Sequence, residues 1–277
     1  MKRRIFQKGQ LLFNRIRKKL ALISLDKLTP YIRKDPNFPG SAGTERQYLE
    51  LTLKGSNDLI HLLNIVGQTE PLAPITLASE AFVETEDSVR LRGIFDKFGS
   101  DKGTQHNYDL IYSNILMNYS EKDFDILEIG LGTNKLDVVS NMGIKGRPGA
   151  SLRSWREFLP QARIVGCDID SRVLFSENQI ETYFLDQTSD DSWINLLGTI
   201  GDRKFDLIVD DGLHSPFANL RTIIHGLPRL KKNGVIVIED ISLNGLPVFQ
   251  LLKNELLRDY NCEIVKTRRS IVFIVRT

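Results

Sequence analysis

Five short apolar runs in this 277-residue chain end in acid. Glu128 stands beside Gly130 and Gly132, and Asp168 and Asp170 follow Ile164 to Cys167. Asp186 follows Glu181 to Leu185. Asp210 and Asp211, with His214, follow Leu207 to Val209, and Glu239 and Asp240 follow Val235 to Ile238. One acid at the end of such a run is explained by a helix cap. Five in succession crowd negative charge into one crevice and cost stability unless a cation or hydroxyl donors bind there. The array points to a site.

The runs alternate with helix-length stretches at Ser151 to Leu159, Asp190 to Thr199 and Pro216 to Leu230. Strand, helix and strand at this spacing mean βαβ units and a parallel sheet covered on both faces. Near the end, Cys262 to Lys266 and Ile271 to Val275 are joined by Thr267 to Ser270, a β-hairpin. The expectation is an α/β fold with a Rossmann-like, mostly parallel seven-stranded sheet ending in an antiparallel hairpin. In such a sheet ligands bind beyond the carboxyl ends of the strands, where the strand order reverses.

Before this core, residues 1–88 read as a helical N-terminal region and 89–277 as the main domain. The first twenty residues hold eight Lys and Arg and no acid, and apolar Ile5, Leu12, Ile16, Leu20 and Ile23 recur at helical spacing, which predicts a cationic amphipathic helix from about Ile5 to Leu25. Two roles stand for it: packing on its own protein or on a partner subunit, in a homo-oligomer, and peripheral contact with an anionic membrane surface. Thr44 to Gln47 has the capping-box pattern and opens a helix through Leu53, and a second helix starts near Ser56 to Asp58.

The net charge is +2, but the basic character is local. Beyond the first twenty residues 29 basic face 35 acidic residues, which argues against a nucleic-acid partner. Only Cys167 and Cys262 are present, without zinc spacing or a disulfide framework, so a reducing cytoplasm is expected. No run approaches the roughly 20 apolar residues of a membrane span.

The turn Glu128-Ile-Gly130-Leu-Gly132 lets a ligand approach the backbone. A dinucleotide fingerprint would place a third small residue where Lys135 stands and a ribose-binding acid about 20 residues on. Asp168 instead ends the next strand, where its carboxylate can accept both ribose hydroxyls of an adenosine, and a cofactor without phosphates needs no diphosphate cradle.

Glu128 to Gly132, Gly166 to Asp170, Asp186-Gln187, Asp206 to Asp211 and Leu230 to Asp240 resemble the successive motifs of class I S-adenosylmethionine (SAM)-dependent methyltransferases. More narrowly, residues 90–245 are similar to the metal-dependent macrolide-sugar O-methyltransferases of the mycinamicin and tylosin pathways. Phe98 to Lys102, His106 to Tyr108, Gly149 to Trp155 and Asp210 to His214 carry that likeness, with Leu213 where the family has serine. The resemblance implies a methionine moiety near Glu128, Gly130 and Gly132, a ribose on Asp168, and adenine near Asp186 and Gln187. Helix capping by Asp168 and a local turn at Asp186 remain the plain alternatives.

Asp211, Glu239 and Asp240 end neighbouring strands, about 4.8 Å apart, so their carboxylates can converge on one hard cation such as Mg²⁺. The resemblance implies that role for them and makes His214, three residues after Asp211, the base. Capping of the helix at Pro216 is the alternative for His214. Asp210 should turn away by strand alternation. Lys97 to Tyr108, with Asp101, Lys102 and His106, either closes over the cofactor or caps the following helix. His61 and His225 read as ordinary helix residues. The expected function is methylation of a sugar hydroxyl in a glycosylated natural product or polysaccharide precursor. Methylation of a catechol or other phenol, and a binding or scaffold role without turnover, are the competing readings.

Overall fold

The computed structural model describes residues 75–117, 123–243 and 245–277, all within the second of the two units into which the chain divides, Leu51–Thr277. The basic helix near the start, the capping box at Thr44 and the helix near Ser56 lie outside the described residues.

The described chain opens with a two-residue strand, β1 (Thr76–Leu77), and a short helix, α1 (Ala78–Ala81). Helix α2 (Glu86–Phe98) follows, started by a reciprocal cap between Thr85 and Ser88 and stopped by Gly99 at φ 83°. Helix α3 is Tyr108–Leu116. The expected boundary at residues 88 and 89 falls inside α2, and Ala78 and Phe82 ahead of it are already buried in the core. Six strands and three helices then follow: β2 (Asp125–Ile129), α4 (Ala150–Phe158), β3 (Arg163–Asp168), β4 (Ser176–Glu177), β5 (Ile180–Phe184), α5 (Asp190–Ile200), β6 (Phe205–Asp210), α6 (Pro216–Gly226) and β7 (Leu230–Ile241), with two-residue β4 at the margin. Helix α7 (Leu246–Leu251) leads to β8 (Asn261–Lys266) and β9 (Ile271–Arg276).

The sheet order is β1-β8-β9-β7-β6-β2-β3-β5-β4. Without the two-residue strands β1 and β4 it is the expected seven strands. β9 runs antiparallel to both β7 and β8, so the terminal hairpin is as expected, and β2, β3, β5, β6 and β7 pair in parallel. The chain runs outward from β2 through β3 to β5 and then crosses back to β6, on the other side of β2. The strand order reverses there, so the ends of β2, β3 and β6 border the crevice.

Alternation along the strands feeds two cores. Ile126, Ile164, Leu207, Val209, Val235 and Val237 join α2, α3 and α4 on one face. Leu127, Val165, Ile208, Ile236 and Ile238 join α5, α6 and α7 on the other. Near-continuous apolar strands are what a sheet covered on both faces requires. Polar side chains then concentrate where the strands stop.

Candidate active site

A cavity of about 330 Å³ lies beyond the strand ends, with Gly130 and Gly132 on one side and Asp211, His214 and Asp240 on another. Gly130, at φ 93°, carries the backbone so close to the next strand end that a Cβ would stand 2.1 Å from the Asp211 carbonyl oxygen. Only glycine allows that approach and that dihedral together.

Asp211, His214 and Asp240 bring ligand atoms within 4.8 Å of one another. His214 Nε2 stands 3.9 Å from Asp211 Oδ1 and 4.0 Å from Asp240 Oδ2, while its Nδ1 is buried with no hydrogen-bond partner. His214 and Asp240 both hold positive φ, 54° and 53°. Asp240 lies where the pairing of β7 with β9 shifts register, between Ile238 and Ile241. An extra residue at that point re-aims side chains, which lets consecutive Glu239 and Asp240 both serve the site.

Glu239 takes a different environment from the one expected. It is 1% exposed, receives the Tyr112 hydroxyl and is bound by the Lys102 ammonium. Lys102 Nζ also donates to Asp211 Oδ2 at 2.7 Å and lies 3.6 Å from Glu128 Oε1. One buried lysine thus joins Asp211 and Glu239 of the expected metal set to Glu128 of the expected cofactor set. Burial works against the charge on Lys102, but Asp211, Glu239 and Glu128 outweigh it and hold its pKa well above the ordinary lysine value. Burial pushes the Glu239 carboxyl well up, against the pull of Lys102, and the charges of Asp211 and Asp240 add to the rise. Asp211 is likewise raised, by burial first. Asp240 is lowered: burial opposes its charge, but the Tyr108 hydroxyl at 2.7 Å and the neighbouring His214, His106 and Lys102 favour it.

This donor set suits a hard divalent cation. Asp211 Oδ1 and Asp240 Oδ2 face His214, away from Lys102 and Tyr108, whereas both oxygens of Glu239 already have partners. Neither cysteine enters: Cys167 and Cys262 are buried and free.

Of the expected cofactor residues, Gly130 and Gly132 line the cavity. Glu128 is fully buried beneath it and bonded to the Trp155 indole N–H. Asp168 is 7% exposed and accepts the backbone N–H groups of Leu131 and Asp170, each at 2.8 Å, so it shapes the glycine turn directly. Asp186 accepts the N–H and hydroxyl of Thr188 in its own turn. Gln187, expected beside adenine, points inward to Asp210 and Thr222. Asp210 turns away from the cavity and is fully buried, as expected. His225 stacks on Trp193 and faces Asp190, an ordinary helix contact; His61 is outside the described residues.

The sequence reading missed the reach of Lys102 and the place of His106, whose Nδ1 lies 3.4 Å from Asp240 Oδ1. In the segment before α3, Ser100, Asp101 and Lys102 line the cavity, whereas the helix starts at Tyr108 behind Asn107 with no side-chain cap hydrogen bond.

Comparison with solved structures matches this arrangement to the MycE methyltransferase of the mycinamycin pathway in complex with Mg, SAH and mycinamycin VI. The match has 24% identity and a TM-score of 0.53 over 67% of this chain and 53% of that one. This chain has the class I methyltransferase fold. No protein-family model matches it. In sequence it is 27% identical, over 180 residues, to the 8-demethyl-8-alpha-L-rhamnosyl tetracenomycin-C 2'-O-methyltransferase of Streptomyces olivaceus, covering 65% of this chain and 45% of that protein. It is 31% identical, over 140 residues, to the mycinamicin VI 2''-O-methyltransferase of Micromonospora griseorubida, covering 50% and 32%. These relatives are sugar O-methyltransferases of the kind the motifs resemble, and this chain spans less than half the length of each.

Proposed function

We propose that this protein is a SAM-dependent O-methyltransferase that acts, with a divalent cation, on a sugar hydroxyl of a glycosylated natural product. The observation that carries the reading is the single cavity in which the glycine turn faces Asp211, His214 and Asp240. A methyl donor and a hydroxyl to be deprotonated need that adjacency. Relatives named for O-methylation of rhamnosyl tetracenomycin and mycinamicin VI support the sugar acceptor.

On this reading Gly130 and Gly132 admit the methionine end of the cofactor, Glu128 lies behind it, and Asp168 and Asp186 bind the adenosine. Asp211 and Asp240 hold Mg²⁺ or a similar ion, while Glu239, expected as the third carboxylate, is taken up by Lys102 and Tyr112. The bound sulfonium supplies an activated methyl group, and the ion lowers the pKa of the acceptor hydroxyl. His214 accepts the hydroxyl proton at Nε2, between Asp211 and Asp240. Positioning by the cavity walls does the rest.

The segment 133–148 supports a glycoside with an apolar body over a polysaccharide precursor. Its Ser140, Asn141 and Met142 line the cavity, while Leu136, Val139 and Ile144 stand exposed beside them in sequence. Among the described residues no phenylalanine, tyrosine or tryptophan lines the cavity, which disfavours a phenol acceptor.

The test is mass spectrometry of sugar-bearing natural products incubated with the protein and methyl-labelled SAM, with and without EDTA. Label should reach a sugar hydroxyl and vanish with chelation, while calorimetry still detects the demethylated cofactor. Transfer that survives EDTA would remove the metal from the reading. Absence of both cofactor binding and transfer would remove the activity. Homo-oligomerisation and contact with anionic lipid belong to the same proposal. Deleting residues 1–25 should change mass by light scattering or vesicle co-sedimentation; a chain unchanged in both would discard both roles for that segment.

A further inference from the structure

Resting on the methyltransferase reading above, we propose that Gln187 is a positioning residue for His214 and makes no contact with the cofactor. Its side chain is 6% exposed and lies in the core on the α6 side of the sheet. Nε2 donates to Asp210 Oδ2 at 2.7 Å and to Thr222 Oγ1 at 3.0 Å, and Oε1 accepts the Leu213 N–H at 3.0 Å. From the other side the Trp193 indole N–H donates to the Gln187 carbonyl at 3.0 Å, which fixes the main chain from which the amide extends. Both ends of the side-chain amide are therefore engaged within the protein.

The partners it engages build the turn that delivers His214. Asp210 is a fully buried carboxylate with three donors: Gln187 Nε2, Asn219 Nδ2 at 3.0 Å and the Gly212 N–H at 3.2 Å. Gly212 sits so close that a Cβ there would meet Gln187 Oε1 at 2.4 Å. The amide thus grips the Asp210–Leu213 turn at two points, through the carboxylate that holds Gly212 and through the N–H of Leu213. His214 follows at once, at φ 54°, a conformation that a non-glycine side chain adopts at a cost. A turn held this tightly can impose that dihedral and so aim the imidazole between Asp211 and Asp240. Loss of the amide leaves a buried carboxylate short of a donor and frees Leu213.

Three measurements on the full chain test this. Hydrogen exchange of the Leu213 amide, read without ligand, should quicken roughly tenfold in Gln187→Leu, the consequence of one lost hydrogen bond. At saturating SAM, kcat should fall about 10-fold to 100-fold, as displacement of a reacting group by about an ångström does. The calorimetric Kd for the demethylated cofactor should stay within about twofold, the margin expected when no contact is lost. Gln187→Glu keeps the shape but sets a second carboxylate against Asp210, and should be equally slow; it also carries the test should Gln187→Leu not fold. Adding Asp210→Asn to Gln187→Glu restores one amide-to-carboxylate pair and should recover most of kcat. Weakened cofactor binding with normal kcat would place Gln187 on the adenine and overturn the proposal, as would unchanged exchange at Leu213 or no rescue. If the wild-type chain binds no cofactor, the methyltransferase reading fails, and the exchange of Leu213 still decides the role of Gln187.

Discussion

The acids on the two sides of the crevice are of the same residue types, and they are held by different means. On the β3 and β5 side, Asp168, Asp170 and Asp186 accept N–H and hydroxyl groups from their own turns and from the loop after β2, and Asp170 adds Arg172. On the β6 and β7 side, Asp211, Glu239 and Asp240 surround shared partners: one buried ammonium, two imidazoles and two phenols. Backbone amides are fixed dipoles that hold each carboxylate singly. A shared cation couples several carboxylates, so loss of one group disturbs all of them. The first arrangement suits a neutral hydroxyl-bearing ligand; the second suits a site whose charge changes when an ion and a proton come and go.

The largest effect should come from the coupled side. His214→Ala should lower kcat about 10²-fold to 10⁴-fold, the usual worth of a positioned general base, and leave cofactor affinity unchanged. Steady-state rates with calorimetry check it; a near-normal rate at pH 7 would move proton removal elsewhere, to His106, whose Nδ1 lies 3.4 Å from Asp240 Oδ1. Next in size is Lys102→Met, which leaves Glu128, Asp211 and Glu239 without their ammonium. Removing one partner of a buried ion pair costs about 3–5 kcal/mol. The sign with pH follows from the directions above. Folded-state carboxyl pKa values raised by burial favour the fold at low pH and weigh against it as pH rises through them, and removal of Lys102 raises them further. Urea unfolding should therefore show the variant's deficit greatest near pH 8 and smaller toward pH 5. A deficit independent of pH would mean that Lys102 acts through packing alone.

The contrast between the two sides also explains what could be read beforehand. Each acid of β2, β3, β5, β6 and β7 stands directly after a run of apolar residues, so strand ends, strand order class and the terminal hairpin were legible. His214 is three residues from Asp211, and that spacing carries its own signal. Lys102 is 109 residues from Asp211 and 137 from Glu239, and nothing in local spacing connects them. Gln187 differs in another way: the family resemblance puts it with Asp186 near the adenine, whereas its side chain turns inward to partners on α6 and in the next strand-end turn. The alternation argument that turned Asp210 into the core does not reach Gln187, which lies three residues past the end of β5.

The smallest effect should come from the singly held side. Asp170 accepts Arg172 Nε at 2.6 Å and Thr133 Oγ1 at 2.6 Å, and Arg172 also reaches Asp137. This group ties the start of the segment 133–148 to the end of β3. Hydrogen bonding from Arg172 is the main cause that holds the Asp170 carboxyl down at about 2, against the opposing influence of burial. A folded-state pKa below the unfolded value stabilises the fold above about 3.8, and that contribution declines as pH falls toward about 2. Arg172 is half-exposed, so the worth of the contact at neutral pH is only about 1 kcal/mol. Asp170→Asn should thus be less stable than the wild type by about that amount at pH 6. Urea titrations should show the gap narrowing below pH 4, because the wild type loses there what the variant never had. A gap that stays constant down to pH 3 would assign the difference to the shape of the turn, and the contrast between singly held and coupled acids would lose its simplest measure.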